Sequence, residues 1–92
     1  MVITVGYYLT EEQIEKIKKV TEEIGLEDVK WGFEDHNILA KDPFKEGNVM
    51  IGQVRKDLSG GKLEIYYRDD WPKEIKAKVD KFLSTLGLED KN

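Results

Sequence analysis

Two segments of this 92-residue chain repeat their apolar residues at helical spacing, and each is apolar on one side only. The first segment carries Ile14, Ile17, Val20 and Ile24, and the second carries Ile75, Val79, Phe82, Leu83 and Leu86. Spacings of three and four residues place each set along one face of an α-helix. A helix with a single apolar face must bury it against another element, so both helices need a partner layer.

Both helical segments carry signals at their ends. Thr10-Glu11-Glu12-Gln13 fits a capping box, in which Thr10 and Gln13 bond to each other's backbone. The same four residues, Gly-Leu-Glu-Asp, follow both segments, beginning at Gly25 and at Gly87. We interpret each repeat as a helix stop, with glycine in the left-handed conformation and the next leucine packed back onto the helix. The two acids that follow, Glu27-Asp28 and Glu89-Asp90, are expected to be solvated.

Four further segments are predicted to be strands. Three of them alternate apolar and polar residues, which is typical of strands with one buried face, whereas the third segment along the chain begins with three consecutive apolar residues. The four segments run from Met1 to Leu9, Val29 to Phe33, Val49 to Lys56 and Lys62 to Arg68. In the second of them, Val29, Trp31 and Phe33 are predicted to face the core. Ser59-Gly60-Gly61 joins the last two segments as a hairpin turn. The short apolar piece Ile38-Leu39-Ala40 is an optional extra strand.

These elements predict an α+β fold in the order β-α-β-β-β-α. Three consecutive strands joined by turns form an antiparallel meander. We expect a two-layer sandwich in which a four-stranded, mostly antiparallel sheet carries both helices on one face. Residues 1–92 are predicted to form a single α+β domain, because the chain is too short for two separate cores. The patterns leave the strand order open.

Composition restricts the possible chemistry. The chain has no cysteine, which excludes disulfides, thiolate metal ligands and a cysteine nucleophile. Nineteen acidic against fifteen basic residues give a net charge of −4, which opposes binding to a phosphate backbone. No apolar run approaches the roughly 18 residues of a membrane span. We therefore expect a cytoplasmic protein that uses no cofactor and whose partner is not nucleic acid. The composition is rich in Lys and Glu, as in proteins from thermophiles.

The sequence contains one histidine, His36, within the polar run Glu34-Asp35-His36-Asn37. With Asp42, these residues form a candidate site for a hard divalent cation or for acid–base chemistry. Their spacing does not match an EF-hand loop, since Leu39 and Ala40 occupy positions that require oxygen ligands or glycine. A polar β-turn explains the same residues, so we predict no metal ligand and no catalytic residue here.

Tyrosine and arginine residues mark a candidate binding surface. If Leu63, Ile65 and Tyr67 face the core, Tyr66 and Arg68 face the other side of the same strand. Tyr8 lies opposite the apolar set of the first strand in the same way. We therefore predict that Tyr8, Tyr66 and Arg68 share the open face of the sheet, and such residues dominate protein-recognition surfaces.

Residues Ile3 to Glu12 resemble the first strand and helix of the RNA-recognition-motif family. The resemblance implies single-stranded nucleic-acid binding on the sheet face. The chain departs from the family at Thr4, where a stacking aromatic belongs, and in Val49 to Val54, which lacks the basic-Gly-aromatic signature. A closing strand after the second helix is also missing. We do not assign the chain to this family and keep nucleic-acid binding as an alternative.

The function predicted from these observations is that of a small acidic interaction module without catalytic activity. It is expected to bind another protein or a second copy of itself, through a sheet edge or through the open face that carries the tyrosines. The alternatives are a divalent-cation or enzymatic site around His36 and single-stranded nucleic-acid binding on the open face.

Overall fold

The computed structural model describes residues 1–31, 35–57 and 60–88. The elements in chain order are β1 (Val2–Leu9), α1 (Glu11–Ile24), β2 (Glu27–Trp31), β3 (Asp35–Lys41), β4 (Asn48–Asp57), β5 (Gly60–Arg68) and α2 (Lys73–Thr85). The α+β class is as predicted. Within the described ranges, neither helix has the length and apolar content needed to cross a membrane.

The sheet has five strands in the order β1-β5-β4-β3-β2, and every neighbouring pair is antiparallel. The prediction of four strands was therefore one strand short. The optional piece Ile38-Leu39-Ala40 belongs to the full strand β3, in which Ile38 and Ala40 are buried. The sequence predicts a polar turn for the first half of β3, because Asp35, His36 and Asn37 are polar. In the sheet, His36 and Asn37 bond to side chains of neighbouring strands.

Both helices pack on one face of the sheet. Residues of α1 and α2 share one core cluster with residues of β3, β4 and β5. The strand members lie on the same face, because Ile65 is opposite Gly52 and Gly52 is opposite Ile38. The largest fully buried side chains are Phe82, Ile17, Ile38, Ile51, Leu63, Ile65 and Ile75. The other face of the sheet, called the open face below, has no helix of the described residues on it.

The two helix stops have the predicted geometry. Gly25 and Gly87 have φ angles of 88° and 76°. The N–H of Leu26 donates to the Thr21 carbonyl at 2.8 Å, and the N–H of Leu88 donates to the Leu83 carbonyl at 2.7 Å, as in a Schellman motif. Leu26 is buried, and Leu88 packs against the core. Glu89 and Asp90 lie outside the described residues.

The first helix begins with the predicted capping box. The Gln13 N–H donates to Thr10 Oγ1 at 3.1 Å, and the Thr10 N–H donates to Gln13 Oε1 at 2.8 Å. The second helix begins without such a cap, because its cap residue Pro72 makes no side-chain hydrogen bond. Asp70, two residues before Pro72, accepts two hydrogen bonds from Arg68.

The face of β2 differs from the prediction. Val29 lies opposite Asn37 on the open face and is 43% exposed, whereas Asp28 lies opposite Ile38 on the helix side. The cause is the helix stop, because Leu26 is anchored in the core and strand alternation then turns Asp28 inward as well. Asp28 is tolerated there because its Oδ1 bonds to Nδ1 of His36 at 2.8 Å. The Trp31 side chain and Phe33 lie outside the described residues.

Candidate interaction surface

The centre of the open face is a closed network of polar side chains. Gln53 is only 8% exposed although no described helix covers it. Its amide nitrogen donates to Asn37 Oδ1 at 3.1 Å. Its Oε1 accepts from Arg55 Nε at 3.0 Å and from the Tyr66 hydroxyl at 3.3 Å. Gln53 therefore links side chains of β3, β4 and β5 through both ends of its amide, which holds this part of the face in place.

Tyr66, one of the three predicted binding residues, is part of this network. Its side chain is half-buried, and burial raises the pKa of the phenol; the Glu64 carboxylate raises this pKa further and Arg55 lowers it. A raised pKa favours the neutral hydroxyl, which is the form that donates to Gln53. The ring of Tyr66 is thus held in place on the open face.

Arg68, the second predicted residue, is paired within its own chain. Its Nε and Nη2 donate to the two carboxylate oxygens of Asp70, each at 3.0 Å. These hydrogen bonds raise the pKa of Arg68 and lower the pKa of Asp70. Because the pKa of Asp70 is depressed on folding, the pair is complete above the usual carboxyl range and is lost as the pH falls below it. Both groups are exposed, so the pair adds little stability.

Tyr8, the third predicted residue, is 86% exposed at the edge of the sheet. The register places Tyr8 opposite Lys62, Thr4 opposite Tyr66, and Val2 opposite Arg68. Tyr8, Tyr66 and Arg68 therefore occupy the same face by alternation. Tyr8 and Arg68 are not adjacent. Tyr8 is opposite Lys62, which is six residues from Arg68 on β5, or about 20 Å at 3.3 Å per residue. Within one chain, the three residues therefore lie along the edge of the sheet and do not form one patch.

The strand that carries Tyr8, β1, forms an unprotected edge of the sheet. The predictions from the sequence did not identify this edge. β1 pairs with β5 over eight consecutive residues without a register shift, and its other side faces no strand of the described chain. It contains no charged residue and no proline. Val2 and Ile3 are 54% and 58% exposed. Natural edge strands are usually shortened, bulged or charged so that they do not pair with other chains.

The opposite edge of the sheet is protected in the usual way. β2 has five residues, and three of them, Glu27, Asp28 and Lys30, carry charge. In a chain that is 37% charged, an eight-residue strand without a single charge is the signal that could have identified β1 from the sequence.

A cleft of about 570 Å³ lies where the β3–β4 loop faces the start of α2. Arg68 and Asp70 line it, together with Phe44 of the loop, which is 80% exposed. Trp71 also lines the cleft, and its buried indole nitrogen has no hydrogen-bond partner among the residues the structure describes. The sequence did not predict this cleft, because its two walls are about 25 residues apart in the chain.

The residues of the candidate cation site are not brought together. His36 bonds to Asp28, and Asp42 Oδ1 accepts from the Phe44 N–H at 2.8 Å in its own loop. Asp35 precedes His36 in β3, so the two side chains point to opposite faces. Glu34 lies outside the described residues. Within the described ranges, no group of three or more histidine and carboxylate side chains is placed to hold a metal ion.

Comparison with protein-family models, with curated proteins and with solved structures gives no match for this chain. What this protein can bind is therefore inferred from the chemistry of its surface. A sheet edge that is long, regular, apolar and unpaired offers a row of backbone donors and acceptors to another extended strand.

Proposed function

We propose that this protein is a small, non-catalytic interaction module that binds a polypeptide strand along β1. The observation that carries the proposal is the uncharged, regular and exposed edge of β1, beside an open face already fixed by the Gln53 network. In this mode of recognition, main-chain hydrogen bonds supply affinity and the alternating side chains supply specificity.

The backbone of β1 is suited to this role. In an antiparallel pair, successive residues direct their N–H and C=O groups alternately toward the neighbouring strand and away from it. With β5 on one side only, half of the β1 residues direct these groups outward. An added strand would satisfy them and would also cover Val2, Ile3 and Tyr8, which are apolar and exposed.

The test compares a charge placed on each edge of the sheet. Ile3→Lys adds a charge to β1 at an exposed position, and Val29→Lys is the matched control on β2. Circular dichroism first establishes that both variants fold. Association is then measured in two ways, by sedimentation velocity over a range of protein concentrations and by affinity capture from the source lysate with mass spectrometry.

We expect Ile3→Lys to lose an association that the wild type and Val29→Lys retain. A captured protein supports the proposal only if its binding also protects the β1 amides from hydrogen exchange. The proposal fails if neither assay finds association, or if the association found is insensitive to Ile3→Lys.

A further inference from the structure

We propose that the strand bound by β1 is β1 of a second copy of the chain, in antiparallel pairing about a twofold axis at Val5. This inference rests on the proposed function and names its partner. Two features of the described chain support it: the self-complementary pattern of β1, and a hollow at the same edge that a tyrosine of the second copy would approach.

The geometry of such a dimer is restricted. Two identical edge strands can pair antiparallel only about an axis perpendicular to the sheet, which keeps the open faces of both copies on one side. In an antiparallel pair, two residues that lie directly opposite each other point to the same face of the sheet. The twofold axis must therefore pass through a residue, which then lies opposite its own copy. With Val5 there, Val2 meets Tyr8, Ile3 meets Tyr7, and Thr4 meets Gly6 of the second copy.

This register places every exposed apolar residue of β1 against an apolar partner. Val2 and Ile3 are each opposite a tyrosine, and pairs between aromatic and β-branched side chains are among the favourable cross-strand pairs. Shifting the axis to Thr4 leaves Tyr8 outside the pairing and puts Val2 against Gly6. Shifting it to Gly6 leaves Val2 outside and puts Ile3 against Leu9, which is already buried. The Val5 register therefore buries the most apolar surface.

A hollow of about 180 Å³ lies at this edge, lined by Ile3 and Tyr67 together with Met1, Arg68 and Asp69. Ile3 and Tyr67 are opposite each other in the sheet, and their alternation places them on the helix side. In the Val5 register, Tyr7 of the second copy stands directly opposite Ile3. Tyr7 is half-buried against the core of its own chain, so the part of its side chain that remains exposed is the part that would approach this hollow.

The pairing also brings together the residues that the sequence pointed to. On the open face, one row of the joined sheet reads Lys62, Tyr8, then Val2 and Arg68 of the second copy. Tyr8 and Arg68 are about 20 Å apart within one chain but lie two strand spacings apart across the axis, or about 10 Å. The surface that carries both residues is complete only in the dimer.

Charge does not oppose the contact. The interface strands carry none, and the nearest like charges in a row are Lys62 and Arg68 of the second copy. Three strand spacings of about 4.8 Å separate these two residues, or about 14 Å. This distance exceeds the Debye length of about 8 Å at physiological ionic strength, so their repulsion is largely screened.

The test uses the absence of cysteine, which makes any single introduced cysteine unique. Val5→Cys places two thiols opposite each other at the axis, within reach of a disulfide. Thr4→Cys is the register control, because in the Val5 register its two copies are diagonal neighbours about 7–8 Å apart, too far for a disulfide. Val29→Cys is the control on the other edge of the sheet.

Under mild oxidation we expect Val5→Cys to form a covalent dimer about tenfold faster than Thr4→Cys or Val29→Cys, because only its thiols meet disulfide geometry. Mixing Val2→Cys with Tyr8→Cys should likewise give a disulfide between the two variants, because residues 2 and 8 are opposite each other in this register. This mixture keeps the register testable if Val5→Cys folds poorly. Sedimentation of the wild type should show a dimer that Ile3→Lys dissociates.

Other outcomes overturn the inference in distinguishable ways. Fastest cross-linking of Thr4→Cys rejects the Val5 register, and fastest cross-linking of Val29→Cys places self-association on another edge. A wild type that stays monomeric while a different protein binds β1 rejects the second copy as partner but leaves the proposed function standing. Absence of any β1-dependent association rejects both.

Discussion

At the scale of single residues, glycine is needed in this chain for two different physical reasons. Gly87 ends α2 in the left-handed region at a φ of 76°, where nothing stands near the position of an added Cβ. Gly52 lies inside β4 and has an ordinary φ, but an added Cβ would collide with the carbonyl oxygen of Glu64 on β5. The first glycine relieves backbone strain, and the second allows two strands to approach.

This difference predicts two grades of destabilisation. Gly87→Ala should lower the free energy of unfolding by about 1 kcal/mol, because a left-handed L-residue costs about 1–2 kcal/mol. Gly87→Asn should lower it less, since asparagine tolerates that conformation. Gly52→Ala should lower it by about 3 kcal/mol, because the backbone of β5 must move. Urea denaturation measures all three, and a Gly52→Ala protein more stable than Gly87→Ala would contradict this account.

At the scale of elements, Gln13 connects the beginning of one helix with the end of the other. Its Oε1 completes the capping box of α1, while its Nε2 donates to the Leu86 carbonyl at 2.8 Å, just beyond α2. One side chain thus satisfies a free backbone donor of α1 and a free acceptor of α2. The capping box could be read from the sequence, but the contact with Leu86 could not, because the partners are 73 residues apart.

Replacing this amide by a carboxylate separates its two roles. Gln13→Glu keeps an acceptor for the Thr10 N–H but cannot donate to the Leu86 carbonyl. We therefore expect the free energy of unfolding to fall by about 1 kcal/mol, the usual contribution of one such hydrogen bond. Thr10→Ala, which removes the cap alone, should also cost about 1 kcal/mol. Gln13→Ala removes both interactions and should cost more than either. Thermal and urea denaturation check this order, and a Gln13→Glu protein as stable as the wild type would disprove the helix-to-helix role.

At the scale of the whole molecule, local signals were sufficient for part of the fold. Helix stops, the capping box and the α+β class depend on residues close together in the chain, and the structure has them as predicted. The fifth strand was missed because its polar residues are satisfied only by distant strands. The open-face residues were assigned by alternation, but their separation along the edge depends on the β1–β5 register, which no local pattern contains.

The orientation of β2 shows how the layers of the whole molecule override a local pattern. The alternation of Val29, Trp31 and Phe33 favours burial of Val29, but the anchoring of Leu26 turns Val29 to the open face. A charge at this position should therefore be tolerated, whereas the same charge on the helix side should not. Val54 on β4 is the matched position there, since it has no exposed surface.

We expect Val29→Asp to change the free energy of unfolding by less than about 1 kcal/mol, as is usual for surface substitutions. Val54→Asp should lower the free energy of unfolding by several kcal/mol, because it buries a carboxylate without a partner. Since the total stability of a protein is typically about 5–15 kcal/mol, this variant should be largely unfolded on warming. Circular dichroism during urea titration distinguishes the two cases. If Val29→Asp proved as damaging as Val54→Asp, Val29 would face the helices, and the register of β2 against β3 would be shifted by one residue.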